Sequence, residues 1–331
     1  MIFVKKGSNG NGTSWASAYG DLQSALTRAQ AGDQIWVAYG TYVPTANQDR
    51  KVSFVINDGI EVYGGFEGNE IRLEDRNTEL YETILSGEIG STSTIDDNSY
   101  TIIYTEGVSE STIVDGFTIR DGMANGFGDS GNVTSCGAAW FNNGSNGKVS
   151  SPTIRNCNFE NNYAREGGAL YNYANAGACY PYILACNFVA NKCDFDGGAI
   201  FNDGNYGICS PIIKGCYFIE NESTYGSGIL NRGNRGEAKP IIENCIFAGN
   251  VSIVRGAAIY NNTEDRGICE PIIKTCRFEE NASMVKDEVS TTSQRMAIYN
   301  KENATSSGSL VIRATTTKAP LNTNSEEKAA Y

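Results

Sequence analysis

The sequence predicts an all-β fold, a right-handed parallel β-helix whose coils are about 30 residues long and whose first coil is covered by an N-terminal helix. Three observations lead to this prediction. Proline recurs at spacings of 29, 30, 29 and 31 residues. Constant residue types follow each proline at fixed offsets. The apolar runs within a unit are short and are interrupted by Asn, Gly and Pro, which indicates strands and turns instead of helices. The prolines are Pro152, Pro181, Pro211, Pro240 and Pro271.

Three residue columns follow from this period, because parallel coils stack about 4.8 Å apart and place equivalent residues above one another. Cysteine and phenylalanine stand two positions apart on one strand, so both columns are predicted to face the interior. The asparagine column is predicted to form a ladder of amide hydrogen bonds at a tight turn. The cysteines are Cys157, Cys186, Cys216, Cys245 and Cys276; the phenylalanines are Phe159, Phe188, Phe218, Phe247 and Phe278; the asparagines are Asn162, Asn191, Asn221, Asn250 and Asn281.

A glycine-rich motif closes each unit and ends in asparagine in all six copies. A column of small residues fits beside the asparagine turn, namely Ala164, Cys193, Ser223, Ser252 and Ser283. We expect three strands per coil. The motif copies occupy residues 137–142, 167–172, 197–202, 226–231, 256–261 and 295–300.

The two ends of the chain differ from the repeats. Residues 18–29 place Leu22, Ala25, Leu26 and Ala29 on one helical face, which predicts a helix that covers the open strand edges of the first coil. The predicted division is an N-terminal strand and capping helix over 1–34, the β-helix over 35–304, and a C-terminal strand and polar tail over 305–331. Other expected features are strands within 35–43, 52–56, 60–66, 81–85, 101–105 and 112–120, an insertion over 283–294, a last strand within 309–316 and a polar tail over 317–331.

Composition excludes several function classes. The chain has 26 basic and 38 acidic residues, a net charge of −12, which argues against nucleic-acid binding. No apolar run reaches the length of about 18 residues that a membrane span needs. The absence of histidine excludes Cys/His zinc sites and histidine-based catalysis. No metal and no cofactor are predicted.

The ten cysteines leave two alternatives open. In the first, all ten stay free thiols, with the five-member column packed as small hydrophobic side chains. Alternatively Cys179 and Cys209, on adjacent coils, form a disulfide, since their Cα atoms are expected about 4.8 Å apart. Cys269 belongs to the same column but lies two coils from Cys209, too far to pair.

The chain resembles bacterial right-handed parallel β-helix repeat proteins of the pectate-lyase-like superfamily, which include adhesin-like secreted and surface proteins. The resemblance rests on residues 2–26, on Gly32-Asp33-Gln34-Ile35-Trp36-Val37-Ala38, and on Val62-Tyr63-Gly64-Gly65-Phe66. It covers about residues 2–300 and implies the fold. It implies lyases and hydrolases as well as surface proteins; such lyases typically bind calcium through clustered acids and use an Arg or Lys base, and such hydrolases use paired aspartates.

One column is a candidate binding site. Glu166, Asp196, Tyr225 and Arg255 are predicted to stack just before the glycine-rich motif, and offer acids, an aromatic ring and a base to an extended partner. The alternative is a charge-balanced surface ladder. Three acidic pairs, Asp96 with Asp97, Asp194 with Asp196, and Glu264 with Asp265, are interpreted mainly as solvated turns, and no catalytic residue is assigned.

We therefore expect a non-catalytic extracellular or cell-surface scaffold, adhesin-like, that binds a glycan or a cell-surface protein, or assembles into a homo-oligomer or filament. The alternatives are a polysaccharide lyase or glycoside hydrolase, and a phage-like or injection-apparatus fibre component.

Overall fold

The computed structural model describes residues 1–284, 297–301, 304–305 and 310–312, and it is a parallel β-solenoid. Within the described residues, five parallel sheets hold nine, nine, six, eight and five strands. Strands that neighbour one another in a sheet come from successive coils. The predicted fold class is confirmed.

The sheets are numbered in the order in which one coil visits them. Sheet 1 contains Ile2–Val4, Gln34–Ala38, Glu61–Phe66, Ile113–Asp115, Thr153–Arg155, Tyr182–Leu184, Ile212–Lys214, Ile241–Glu243 and Ile272–Lys274. Sheet 2 contains Gly40–Tyr42, Thr83–Ser86, Thr118–Arg120, Asn158–Glu160, Asn187–Val189, Tyr217–Ile219, Ile246–Ala248, Cys276–Glu279 and Leu310–Ile312. Sheet 3 contains Met123–Ala124, Tyr163–Glu166, Lys192–Asp196, Glu222–Tyr225, Val251–Arg255 and Ala282–Ser283. Sheet 4 contains Phe54–Val55, Ile103–Glu106, Trp140–Asn143, Leu170–Tyr173, Ile200–Asp203, Ile229–Arg232, Ile259–Asn262 and Ile298–Asn300. Sheet 5 contains Val149–Ser150, Ala178–Cys179, Ile208–Cys209, Glu237–Ala238 and Ile268–Cys269.

A regular coil has five short strands, so the expectation of three was wrong. The reason is the backbone at two bends. Asn156 between sheets 1 and 2 and Asn161 between sheets 2 and 3 adopt left-handed φ angles of 52° and 53°. Ala185 and Ala190 do the same one coil later. A single left-handed residue turns the chain sharply and interrupts the strand, and alanine gives little sequence evidence of it.

The interior is filled by stacked columns, as the period predicts. Adjacent phenylalanine rings from Phe159 to Phe278 are nearly parallel, with centroids 4.6 to 5.0 Å apart. The neighbouring cysteine column is fully buried, and each Sγ lies near a backbone carbonyl oxygen, as for Cys186 and the oxygen of Leu184 at 3.4 Å. The small column lies on sheet 3, two residues after the asparagine turn, as predicted.

Two asparagine ladders run along the solenoid. In the predicted ladder, Asn162 donates from Nδ2 to Oδ1 of Asn191 at 3.0 Å, and this contact repeats to Asn281. Each backbone N–H also donates to the next Oδ1, which satisfies polar groups that the turn buries. The closing asparagines of the glycine-rich motif form a second ladder, through Asn142, Asn172, Asn202, Asn231, Asn261 and Asn300.

The N-terminal helix is shorter than expected, covering Leu22–Arg28 instead of 18–29. Asp21 caps it by accepting a hydrogen bond from the Ser24 N–H at 2.7 Å, whereas Ala18 is extended after the short 3-10 helix Trp15–Ser17. A second 3-10 helix covers Leu73–Asp75. Leu22 and Leu26 are buried against the first coil.

The strands expected before residue 130 are all present. Near the C-terminus, Leu310–Ile312 pairs with Cys276–Glu279. Most of the expected insertion, and the polar tail, lie outside the described residues. Among the residues that the structure describes, no helix is long and apolar enough to cross a membrane.

Cys179 and Cys209 lie in register on adjacent strands of sheet 5, buried, and both are free thiols in the structure. Their Sγ atoms lie near backbone carbonyl oxygens, that of Cys179 3.4 Å from the oxygen of Tyr173. A bond between them therefore remains a prediction for oxidising conditions.

Candidate functional site

The outside of the solenoid has an aromatic column on sheet 4. Strand residues alternate between faces, so the residue after each interior side chain points outward. These outward residues are mostly aromatic and nonetheless largely buried, because they pack in the angle where sheet 3 meets sheet 4. We call this angle the outer corner; its floor consists of Tyr104, Phe141, Tyr171, Phe201, Leu230, Tyr260 and Tyr299.

Glycine makes the corner tight. Gly197, between the two sheets, has a φ of +74°, and a Cβ there would lie 2.9 Å from the Cβ of Phe201 and 2.6 Å from the carbonyl oxygen of Ile200. Only a residue without a side chain allows both the left-handed turn and this close approach. The glycine-rich motif thus allows the end of sheet 3 to pack against the floor.

The four predicted residues form the wall of the corner, in the predicted register. Glu166 pairs with Asp196, Asp196 with Tyr225, and Tyr225 with Arg255, on four successive strands of sheet 3. All four are half-buried. The ring of Tyr225 lies 5.2 Å from that of Tyr260, and Cζ of Arg255 lies 4.6 Å from the centroid of the Tyr299 ring, whose hydroxyl it also contacts. They therefore face the aromatic floor and are not simply a solvated ladder.

A buried ion pair at the corner was missed by the sequence analysis. Arg232 donates from Nε to Oδ1 of Asp203 at 3.1 Å and from Nη2 to Oδ2 at 2.9 Å. Tyr171 donates its hydroxyl to the same Oδ2 at 2.7 Å, and the Asn205 N–H donates to Oδ1. Cζ of Arg232 stacks 4.5 Å from the centroid of the Phe201 ring. Register could have found the pair, since Asp203 and Arg232 each follow the closing asparagine of successive motifs.

The electrostatics of the wall are set by burial. Burial, with repulsion from Glu166 and Asp203, raises the pKa of Asp196 to about 6, although Arg232 opposes the shift from 3.8 Å away. Burial likewise raises the pKa of Glu166, which accepts a hydrogen bond from Ser130. Burial opposes charge on Arg232, but Asp203 raises its pKa above the ordinary value. The corner therefore holds an arginine that stays charged beside one carboxyl group, that of Asp196, that is partly protonated near pH 6.

These groups are better suited to binding a polar ligand than to catalysing its cleavage. Both oxygens of Asp203 are already occupied, and its side chain is 1% exposed, so it is not placed to attack a substrate. Arg232 is held charged and cannot abstract a proton. Asp196, whose side chain is 21% exposed, is more open to solvent than Asp203 or Arg232. No group of three or more Asp, Glu, Cys or His side chains in the described ranges is arranged to hold a metal ion.

The other predicted acidic pairs are surface or turn features. Asp97 accepts a hydrogen bond from the Ser91 N–H, and Asp265 pairs with Arg235 at 2.9 Å on an exposed turn. Glu264 pairs with Lys301. Asp194 accepts from the Tyr163 hydroxyl on the outer face of sheet 3.

A groove of about 500 Å³ continues the floor towards the N-terminus. Tyr104 and Phe141 form its base, and Lys51 and Asn143 contribute polar groups. The loop 125–135 lies between this groove and the wall, and Ser130 connects the loop to Glu166 by a hydrogen bond of 2.8 Å. Groove and corner together form one extended outer surface.

No protein-family model and no curated protein sequence matches the chain. Among solved structures, it is similar to the pectin methylesterase of Aspergillus niger in deglycosylated form, at 16% identity and a TM-score of 0.43, over 96% of this chain and 90% of that one. The same enzyme in penultimately deglycosylated form gives 18% identity and a TM-score of 0.36, over 92% and 91%. Identities of this size bear on architecture alone, so the function of this chain is inferred from its own residues.

Proposed function

We propose that this chain is an extracellular or cell-surface β-helix scaffold that binds a glycan along the outer corner without cleaving it. The observation that carries the proposal is the half-buried row Glu166, Asp196, Tyr225 and Arg255 set against an aromatic floor. Sugars have apolar ring faces and polar edges, and a surface of aromatic rings beside hydrogen-bonding side chains complements both.

The free-energy cost of half-burying these side chains supports a functional role for the corner. Half-burying two carboxyl groups side by side destabilises the fold, since each loses hydration and repels the other. The interior columns and asparagine ladders already stabilise the solenoid without these residues. Perturbed carboxyl groups in a concave surface are typical of functional sites.

A binding screen tests the proposal. The wild-type chain is applied to an array of oligosaccharides, and its size in solution is measured beside it. We expect retention of a defined subset of glycans by a chain of constant size. Self-association without any glycan binding would favour the assembly function instead.

Polysaccharide hydrolysis is a second candidate function, because a carboxyl group with a pKa of about 6 is suited to act as a general acid near neutral pH. The test is release of new reducing ends from polysaccharides, with and without calcium, by the wild type and by Asp196→Asn. The scaffold function predicts no release by either. Release by the wild type that Asp196→Asn abolishes would establish the enzyme and refute the scaffold function.

A further inference from the structure

A second feature lies on the outer face of sheet 3, next to the corner but facing away from its floor. The guanidinium of Arg165 sits between two phenylalanine rings, with Cζ 6.0 Å from the centroid of Phe127 and 5.4 Å from that of Phe195. Phe127 is 93% exposed and Phe195 is 46% exposed. Within the described part of the chain, the Arg165 side chain makes no ion pair and no hydrogen bond, so its N–H donors face solvent.

The two rings that flank this guanidinium come from different parts of the fold, a loop and a strand. Phe127 belongs to the loop 125–135, whose ends are held by the Gly126 N–H to the Thr134 carbonyl at 2.9 Å and the Arg165 N–H to the Ser135 carbonyl at 3.0 Å. Phe195 is placed by a β-bulge, since the register of its strand shifts between Lys192 and Asp196. Bulges commonly redirect a side chain next to a functional site.

The arrangement predicts the chemistry of a ligand. A guanidinium is a rigid planar fork that binds a carboxylate through two parallel hydrogen bonds, and flanking rings fix its orientation. The exposed parts of the rings suit the apolar face of a sugar ring. Asp194, which accepts from Tyr163 beside Phe195, adds an acceptor for a sugar hydroxyl.

We propose that Arg165, framed by Phe127 and Phe195, is a subsite for the carboxylate of an acidic sugar residue within the bound glycan. This inference rests on the proposed glycan-binding function and adds the class of sugar. Because the chain carries a net charge of −12, long-range attraction of an acidic glycan is not available. Selection of the acid then depends on this short-range contact.

The experiment uses uronate- and sialate-containing oligosaccharides, each paired with its neutral methyl ester, and titrates both into the full chain by calorimetry. We expect the wild type to prefer an acid over its ester by about tenfold or more, as for a charge-assisted bidentate pair. Arg165→Gln should lower the affinity for the acid to that for the ester and so abolish the preference. Arg165→Lys should keep only part of it, because the charge remains and the fork is lost.

Arg235→Gln is the matched control, since Arg235 is an exposed arginine whose Cζ also lies over a ring, that of Tyr206, at 5.4 Å. It should keep the full preference. Phe127→Ala, which alters only an exposed ring, should lower affinity for the acid. Melting curves check that each variant is folded.

The outcomes separate this inference from the proposed function. Equal affinity for acid and ester, or a preference that survives Arg165→Gln, overturns the subsite while glycan binding stands. A stronger preference for a sulfated oligosaccharide also overturns the carboxylate assignment. If the wild type binds no saccharide, both proposals are wrong.

Discussion

Arg232 and Asp203 form a two-bond ion pair on adjacent coils, outside the solenoid core and yet nearly excluded from water, with side chains 13% and 1% exposed. The pair anchors the aromatic floor, since Tyr171 donates to Asp203 and Arg232 stacks on Phe201.

Removing one partner of this pair should destabilise the protein. Arg232→Ala leaves the Asp203 carboxylate buried without its counter-ion, and we expect a loss of about 3–5 kcal/mol in the free energy of unfolding. Denaturant unfolding measures it. Arg235→Ala, which breaks the exposed pair with Asp265, should have a far smaller effect, because solvent screens that pair. Equal effects of the two substitutions would show that Asp203 is solvated.

The phenylalanine stack should be the main source of stability in the regular coils. Phe218 is fully buried between Phe188 and Phe247, with ring centroids 5.0 and 4.6 Å away. Phe218→Ala should therefore cost about 3–5 kcal/mol in unfolding free energy, because rings on both sides hold the cavity open. The control is Tyr217→Ala on the same strand, which is 44% exposed and should cost far less. A Phe218→Ala variant as stable as the parent contradicts the packing.

Stability should fall as pH rises between about 4 and 6. The pKa of Asp196 is raised to about 6 in the folded chain from an ordinary 3.8, so the unfolded chain loses this proton first as pH increases. The free energy of unfolding therefore decreases between about pH 4 and pH 6, by roughly 2–3 kcal/mol for a pKa shift of this size. Asp196→Asn should remove this part of the pH profile and be more stable than the wild type at pH 7.

Asp194→Asn is the control for the pH profile, because it removes an exposed carboxylate from the same strand. Unfolding measured from pH 4 to pH 7 in all three proteins decides the matter. Identical slopes in the wild type and Asp196→Asn would mean that Asp196 is well hydrated.

The cysteines should be unreactive in the folded protein. The five-member column from Cys157 to Cys276 is buried in the core, and burial raises the pKa of Cys186 well above its ordinary value. A buried neutral thiol is a poor nucleophile. Ellman's reagent should therefore detect these thiols only after unfolding. After oxidation, mass spectrometry should find any bridge between Cys179 and Cys209; a bridge within the five-member column would contradict its interior position.

The columns were predictable because each depends on one residue type repeated at one offset. Phe159 and Asn162 lie where the period places them, and the register of Glu166, Asp196, Tyr225 and Arg255 follows from the same count. Stacked coils convert sequence spacing directly into spatial neighbourhood.

Features that occur in only one or two coils could not be predicted in this way. The position of Phe127 depends on a loop that the next four coils lack, and that of Phe195 on a bulge that shifts the register by one residue. Left-handed bends at Ala185 and Ala190 use a residue that rarely adopts this conformation, so the five-strand coil was invisible in the sequence. Whether the wall faces solvent or an aromatic floor depends on the angle between sheets 3 and 4. The spacing of residues in the sequence does not predict that angle.

The central claim is that a glycan binds at the outer corner, and calorimetric titration of the best array oligosaccharide tests it most directly. The proteins are the wild type, the double variant Tyr225→Ala/Arg255→Ala, and the control Tyr206→Ala/Arg235→Ala, which removes an exposed tyrosine–arginine pair from a turn between sheets 4 and 5. Loss of a ring contact and a charged hydrogen-bonding group should weaken binding by about 10- to 100-fold in the corner variant, with no change in the control. Unchanged affinity in a folded corner variant would contradict the claim.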